Sequence, residues 1–97
     1  MFEIERSDDG AVVLRGRLDA AQREKAQQYL DELDSNVVLD CRNLEYISSA
    51  GLGVLLKTQK RLMAHGSNLR LVGVNSHLRD VFRYSGFDRI FEIEPAD

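Results

Sequence analysis

The segments Val37-Val38-Leu39-Asp40-Cys41 and, beyond a short spacer, Tyr46-Ile47-Ser48-Ser49-Ala50-Gly51-Leu52-Gly53 decide how this chain folds. The first is a nearly all-apolar run, which suits a strand buried on both faces in the middle of a sheet. The second holds two serines where a helical pattern begins. A serine hydroxyl at that point can accept a hydrogen bond from one of the free N–H groups of the first turn. The same place can hold a phosphate, because unpaired N–H groups and the positive end of the helix dipole converge there. Strand, loop and helix in this order predict an α/β unit with a hydroxyl that either caps a helix or carries a removable charge.

Toward the amino terminus, Phe2 to Arg6 alternates apolar and polar residues as a half-buried strand does. Ser7-Asp8-Asp9-Gly10 reads as a hairpin turn, and Ala11 to Arg15 returns as a second strand that Gly16 breaks. Asp19 followed by Gln22 forms a capping-box pattern ahead of Ala26, Tyr29, Leu30 and Leu33, the apolar stripe of a first helix that ends at Asp34-Ser35-Asn36. Beyond Cys41, Arg42 to Ile47 is expected as a loop anchored by Leu44 and Ile47. The second helix is predicted from Ser49 to about His65. Its core stripe is expected to be Leu52, Leu55, Leu56, Leu62 and Met63, with Gly66 just past its end. That assignment leaves Val54, Thr58 and Arg61 on the opposite side, with Lys57 beside them. A strand over Asn68–Val72, a helix capped by Ser76 and closed by Gly86, and a short strand over Ile90–Ile93 complete the order. The expected fold is α/β, one domain over 1–97, with a mixed β-sheet covered by helices and the strands' carboxyl ends sharing one edge.

Composition narrows the function. The chain is 43% apolar and 30% charged, with 13 Lys and Arg against 16 Asp and Glu, a net charge of -3. That balance fits an ordinary globular domain and argues against a nucleic-acid binder, which usually carries a basic excess. Cys41 is the single cysteine and reads as a buried thiol. With two scattered histidines, His65 and His77, there is no metal-ligand spacing, and no cofactor is expected. Gly51-x-Gly53-x-x-x-Lys57-Thr58 lacks P-loop spacing, and no nucleophile elbow is present. An enzyme is therefore not the expected reading. No apolar run reaches the ~20 residues of a membrane helix, so direct membrane insertion is not expected and the cytoplasm is the default compartment.

In this order and spacing, Val37 to Asp40 followed by Tyr46 to Leu52 resembles the signature of the STAS domain, and especially the stand-alone bacterial anti-sigma factor antagonists. Gly16-Arg17-Leu18-Asp19 is similar to that family's turn into its first helix. Leu69 to Val74, Val81-Phe82 and Ser85-Gly86-Phe87 are similar to its carboxyl half. The resemblance implies a single STAS-like domain acting as a substrate and binding module. It implies that Ser49 is phosphorylated by a partner serine kinase that is also an anti-sigma factor, and that a PP2C-type, metal-dependent phosphatase resets it. It also implies that the unphosphorylated form binds the kinase. The chain departs from the pattern at Ser48, where many members carry Asp, and at Ala50, where Ser or Thr is common.

Each candidate residue also has a structural role to weigh. Ser49 is a phosphoacceptor or a cap; Ser48 is the better candidate for the cap because only one hydroxyl can hold that geometry, and the resemblance also makes it a partner contact or a minor acceptor. Asp19 is a helix cap or a partner contact. Gly51 gives close helix–sheet packing or room for a partner. Val54, Thr58 and Arg61 form a solvated face or a partner patch. The competing function is a STAS subunit of a larger assembly such as a lipid transporter, never phosphorylated; a small-molecule sensor comes third.

Overall fold

In the computed structural model, which describes residues 1–96, five strands form one mixed sheet in the order β1-β2-β3-β4-β5. The strands are β1 (Phe2–Arg6), β2 (Val12–Leu18), β3 (Val37–Ile47), β4 (Leu69–Val74) and β5 (Glu92–Pro95). The helices are α1 (Arg23–Asp31), α2 (Ser49–Ala64) and α3 (Ser76–Tyr84). β1 and β2 form an antiparallel hairpin, and the remaining pairs are parallel, each joined through a helix. In the hairpin turn the Asp9 carboxylate accepts from the Ser7 hydroxyl and from the Ala11 N–H, which lowers its pKa.

The sheet's register sorts its side chains into two unlike faces. Ile4, Leu14, Val12, Leu39, Leu71 and Ile93 fall on one face and join a single core with Ala26 and Leu30 of α1, Leu55 and Leu62 of α2, and Leu78 and Phe82 of α3. The other face carries Glu5 paired to Arg15, half-buried Val38 and Asp40, and Arg70 paired to Glu92 and Glu94. β3 is therefore central but buried on one side only. Its alternation of buried and half-buried residues over Val37–Cys41 replaces the expected double burial.

Several local expectations shift. The stretch expected as a loop, Arg42–Ile47, continues β3 and pairs with the end of β2. Its apolar pattern is scrambled because β3 bulges twice there, so the step from Val12 to Leu18 on β2 is matched by the longer step from Leu39 to Ile47. Leu44 and Ile47 are nonetheless buried anchors. Gly16 does not end β2. It adopts φ +87° within the strand, where an added Cβ would sit 2.1 Å from the Met1 carbonyl oxygen. Asp19 does not cap α1 through its side chain. A 3-10 turn over Ala20–Gln22 intervenes, closed by the Gln22 N–H donating to the Asp19 carbonyl at 3.1 Å. α1 ends at Asp31, before Asp34-Ser35-Asn36, and α3 is capped by Asn75, whose Oδ1 accepts from the Leu78 N–H at 2.8 Å.

The largest correction concerns the rotation of α2. Its buried residues are Gly51, Val54, Leu55, Thr58, Gln59 and Leu62. Val54 is 2% exposed and Thr58 0%, so these two do not form an outward face. Met63, expected in the core, is 54% exposed, and Leu52 and Leu56 are half-buried. The reason is that α2 packs on the sheet and also against α1, so its buried arc covers two neighbours. Thr58 enters this arc without an unmet donor because its hydroxyl donates to the Val54 carbonyl at 2.9 Å. Gln59 bonds the Leu69 N–H and the Ile90 carbonyl. Arg61, also expected to point outward, turns its guanidinium to the carboxyl end of α1 and donates to the Leu30 and Leu33 carbonyls at 2.8 and 2.7 Å. The Leu30 carbonyl also accepts from the Leu33 N–H at 3.0 Å, so Arg61 adds a charged donor to it and serves the Leu33 carbonyl just beyond the helix end, where a cation is favoured.

Arg61→Ala should therefore destabilise the domain by about 1–3 kcal/mol, the cost of losing charged hydrogen bonds and leaving the Leu33 carbonyl without this donor. Arg61→Lys should recover only part of that, since an ammonium lacks the guanidinium's planar fork. Urea titrations of the three proteins check this, and an Arg61→Ala midpoint equal to wild type would contradict the assignment.

Candidate functional site

The site lies where β2 and β3 end side by side and α2 begins. The Ser48 N–H donates to the Leu18 carbonyl at 2.9 Å, which ties the last residue of β2 to the first turn of α2. Ser48 is extended (φ -91°, ψ 174°), and its Oγ accepts from the Gly51 N–H at 3.2 Å. Its carbonyl accepts from the Leu52 N–H at 2.9 Å. Ser48 is thus the N-cap. Ser49 is the first helical residue, and it is exposed. One serine holds the helix end while its neighbour presents a hydroxyl to solvent.

Gly51 is buried one turn into the helix. An added Cβ would lie 2.7 Å from the Leu18 carbonyl oxygen, 2.8 Å from Ile47 Cγ1 and 2.9 Å from Leu18 Cγ. Those distances assign Gly51 to close packing of α2 on the strand ends and give it no surface for a partner. Gly53, by contrast, has open space around it. Asp19 follows directly on Leu18 at the same edge; it is half-buried, and its Oδ1 is buried with no hydrogen-bond partner.

The fold therefore brings Asp19, Ser48, Ser49 and Gly51 together. It sends Val54, Thr58 and Arg61 into the seam with α1. What the sequence reading missed is the outward stripe. Ser49, Leu52, Leu56, Lys60 and Met63 recur at three- and four-residue steps, so they share one side of α2. Ser49, Lys60 and Met63 are exposed, and Leu52 and Leu56 are half-buried. The signal that could have found it is Gly51. A glycine in a helix's first turn that must approach strand ends fixes which side faces inward. Beside the stripe a groove of about 450 Å³ opens between α1 and α2, lined by Arg23, Gln27, Ala50, Gly53, Val54 and Lys57 among others.

No group of acidic, His or Cys side chains among the described residues is arranged to hold a metal ion. Cys41 is buried, and burial first, with Asp40 second, pushes its thiol up to about 12, so it stays protonated at neutral pH. No helix of the described residues is long and apolar enough to cross a membrane. Arg17 stacks its guanidinium over the Tyr46 ring at 4.2 Å, bracing the strand ends beneath the site.

Comparison with known proteins agrees with this fold. Residues 2–93 match the family model described as Mlab, STAS domain. A Bordetella bronchiseptica protein, BtrV, provisionally assigned as an anti-sigma factor antagonist, is 38% identical over 88% of this chain and 78% of its own length. The anti-sigma-B factor antagonist of Listeria monocytogenes is 30% identical over 89% of this chain and 79% of its own. Among solved structures, an anti-sigma factor antagonist from Mycobacterium paratuberculosis superposes with a TM-score of 0.81 at 21% identity, covering 98% of this chain and 85% of that one. SpoIIAA of Bacillus in its phosphorylated form gives 0.69 at 22% identity, over 96% and 90% of the two chains. At these identities the two structures speak for the fold alone.

The division of labour between the serines predicts an asymmetry in stability. Ser48→Ala should cost about 1 kcal/mol through loss of the cap. Ser49→Ala should stay within about 0.5 kcal/mol of wild type, as surface substitutions do. Thermal or urea unfolding of both variants checks this, and the reverse order would move the cap to Ser49.

Proposed function

This chain belongs to the STAS-domain family of anti-sigma factor antagonists, and we propose that it works as an antagonist switched by phosphorylation of Ser49. In this reading the unphosphorylated protein binds a partner serine kinase that is also an anti-sigma factor. Phosphorylation ends the complex, and a PP2C-type phosphatase restores the free hydroxyl. The domain is then a substrate and a binding partner, and the chemistry belongs to the enzymes that modify it.

The observation that carries the reading is the exposed Ser49 hydroxyl beside an N-cap that Ser48 already fills. A phosphate on Ser49 would add about -1.5 to -2 charge at neutral pH without breaking the Ser48–Gly51 bond. The helix dipole favours negative charge at that end, so the fold should persist while the surface changes. Had Ser49 been the cap, phosphorylation would have competed with a bond that holds the helix. The relatives' names give the role independent support, since the Listeria protein is itself described as an anti-sigma-B factor antagonist.

The proposed docking surface follows the rotation of α2. Exposed Met63 and the half-buried edges of Leu52 and Leu56 lie along α2 from Ser49 and take the place first given to Val54, Thr58 and Arg61. Asp19, at the same edge as Ser48, remains a proposed contact at the end of this surface.

The test begins with kinase activity fractionated from the source cell and assayed on the purified protein with ATP. One phosphate should be incorporated, retained in Ser48→Ala and lost in Ser49→Ala, with the site read by mass spectrometry. Labelling of Ser49→Ala at the wild-type level would overturn the assignment. A protein never labelled, and recovered from the cell in a stable complex with a lipid transporter, would favour the structural-subunit reading instead.

A further inference from the structure

We propose that the outward face of α2 is built for an acidic protein surface with an apolar centre, and that this complementarity is what phosphorylation of Ser49 cancels. The inference rests on the reading of Ser49 as the switch and adds the chemistry of the partner.

The argument starts from charge distribution. The chain as a whole is acidic, with a net charge of -3. Yet α2 carries Lys57, Lys60 and Arg61 and no acidic residue over its full length, Ser49–Ala64. Arg61 is occupied at the end of α1, so it does not contribute to the outer face. Lys57 and Lys60 are exposed, and among the described residues neither forms an ion pair. Lys57 also lines the groove shared with Arg23 and Glu24 of α1. Many acidic residues are placed elsewhere, such as Glu3 and Glu5 on β1, Asp31 and Glu32 at the end of α1, and Glu92 and Glu94 on β5, while Asp19 stands at the edge beside Ser48 and Glu45 precedes α2. A locally basic face on an acidic protein is felt over about a Debye length, ~8–10 Å at ordinary salt, so a docking partner reads the face and not the total.

Apolar area lies within the same face. Leu56 and Met63 sit on the stripe that begins at Ser49, and Leu52, half-buried with one side packed against the core, shows its other edge there. An apolar centre rimmed by two lysines is the arrangement in which buried area holds the complex and charge selects and steers the partner. A bilayer with anionic lipids offers a related chemistry, but the stripe offers only half-buried Leu52 and Leu56 and exposed Met63 to enter it.

The sign of the switch follows. Two lysines attract an acidic partner. A phosphate of about -1.5 to -2 at the head of the same stripe places like charge against the partner's carboxylates where they meet the start of α2. Release then needs no movement of α2.

The experiment uses the purified kinase that labels Ser49 as the probe, with association and dissociation measured by surface plasmon resonance at low and high salt. Lys57→Glu/Lys60→Glu should slow association at least tenfold at low salt and leave the dissociation rate within about threefold. The gap in association should close toward ~0.5 M NaCl, where screening is nearly complete. Met63→Glu should instead speed dissociation at both salts. Circular dichroism confirms that both variants fold, which their exposed positions lead us to expect. A labelled Ser49 with wild-type association in the double lysine variant would overturn this inference and leave the phosphoswitch standing, whereas an unlabelled Ser49 would remove the phosphoswitch itself. Sedimentation with phosphatidylglycerol vesicles is the companion arm. Binding by wild type that is lost in Lys57→Glu/Lys60→Glu would assign the face to membranes and overturn the proposal.

Discussion

The approach of Gly51 to the carboxyl ends of β2 and β3 is the constraint on which the rest of the site depends. With no side chain in the way, α2 settles on the Leu18 carbonyl and the Ile47 side chain at distances that would put a Cβ within 3 Å of both. That contact fixes the rotation of the helix. Residues on the Gly51 side, namely Leu55, Thr58 and Leu62, must face inward, and Ser49, Lys60 and Met63 must face outward, with Leu52 and Leu56 half-buried at the margin. The same contact lets the Ser48 N–H reach the Leu18 carbonyl, so cap and strand end form one rigid corner. A larger residue at position 51 would lift or roll the helix and move every residue of the proposed surface together.

Much of this was legible in the sequence, and the failures share one cause. The alternation over Phe2–Arg6, the Asp9-Gly10 turn, the stripe of Ala26 and Leu30, and the helix from Ser49 all follow from local periodicity, which burial on one side imposes. The assignment of the cap to Ser48 followed from geometry, since one hydroxyl alone can fill it. Hydropathy misplaced the inner side of α2 because it ranks leucine and methionine above threonine and glutamine. Thr58 and Gln59 are buried all the same, since each finds its hydrogen-bond partners within the fold. The two bulges in β3 concealed six residues of strand in the same way. Only pairing with β2 makes Arg42 to Ile47 a strand, and pairing is not written in a single segment.

In the proposed function, stability and signalling rest on different residues of the site. Stability at this corner comes from Ser48, Gly51 and the Arg61 clamp on α1, none of which presents a free group at the surface. The proposed signalling surface uses Ser49, Lys57, Lys60 and the apolar residues between them. Marginally stable domains lose a large share of their stability to any change costing one or two kcal/mol. A switch built on a capping serine would spend that margin at every cycle, whereas one built on its exposed neighbour leaves the margin untouched.

That separation can be read at a single backbone amide. Hydrogen exchange at the Gly51 N–H, measured by NMR on the unphosphorylated and the Ser49-phosphorylated protein, reports directly on the cap bond to Ser48. The account predicts equal protection at Gly51 and throughout α2 in the two forms, with chemical-shift changes concentrated along the Ser49–Leu52–Leu56–Met63 stripe. Loss of protection at Gly51 spreading along α2 on phosphorylation would contradict it, because the switch would then act by loosening the helix.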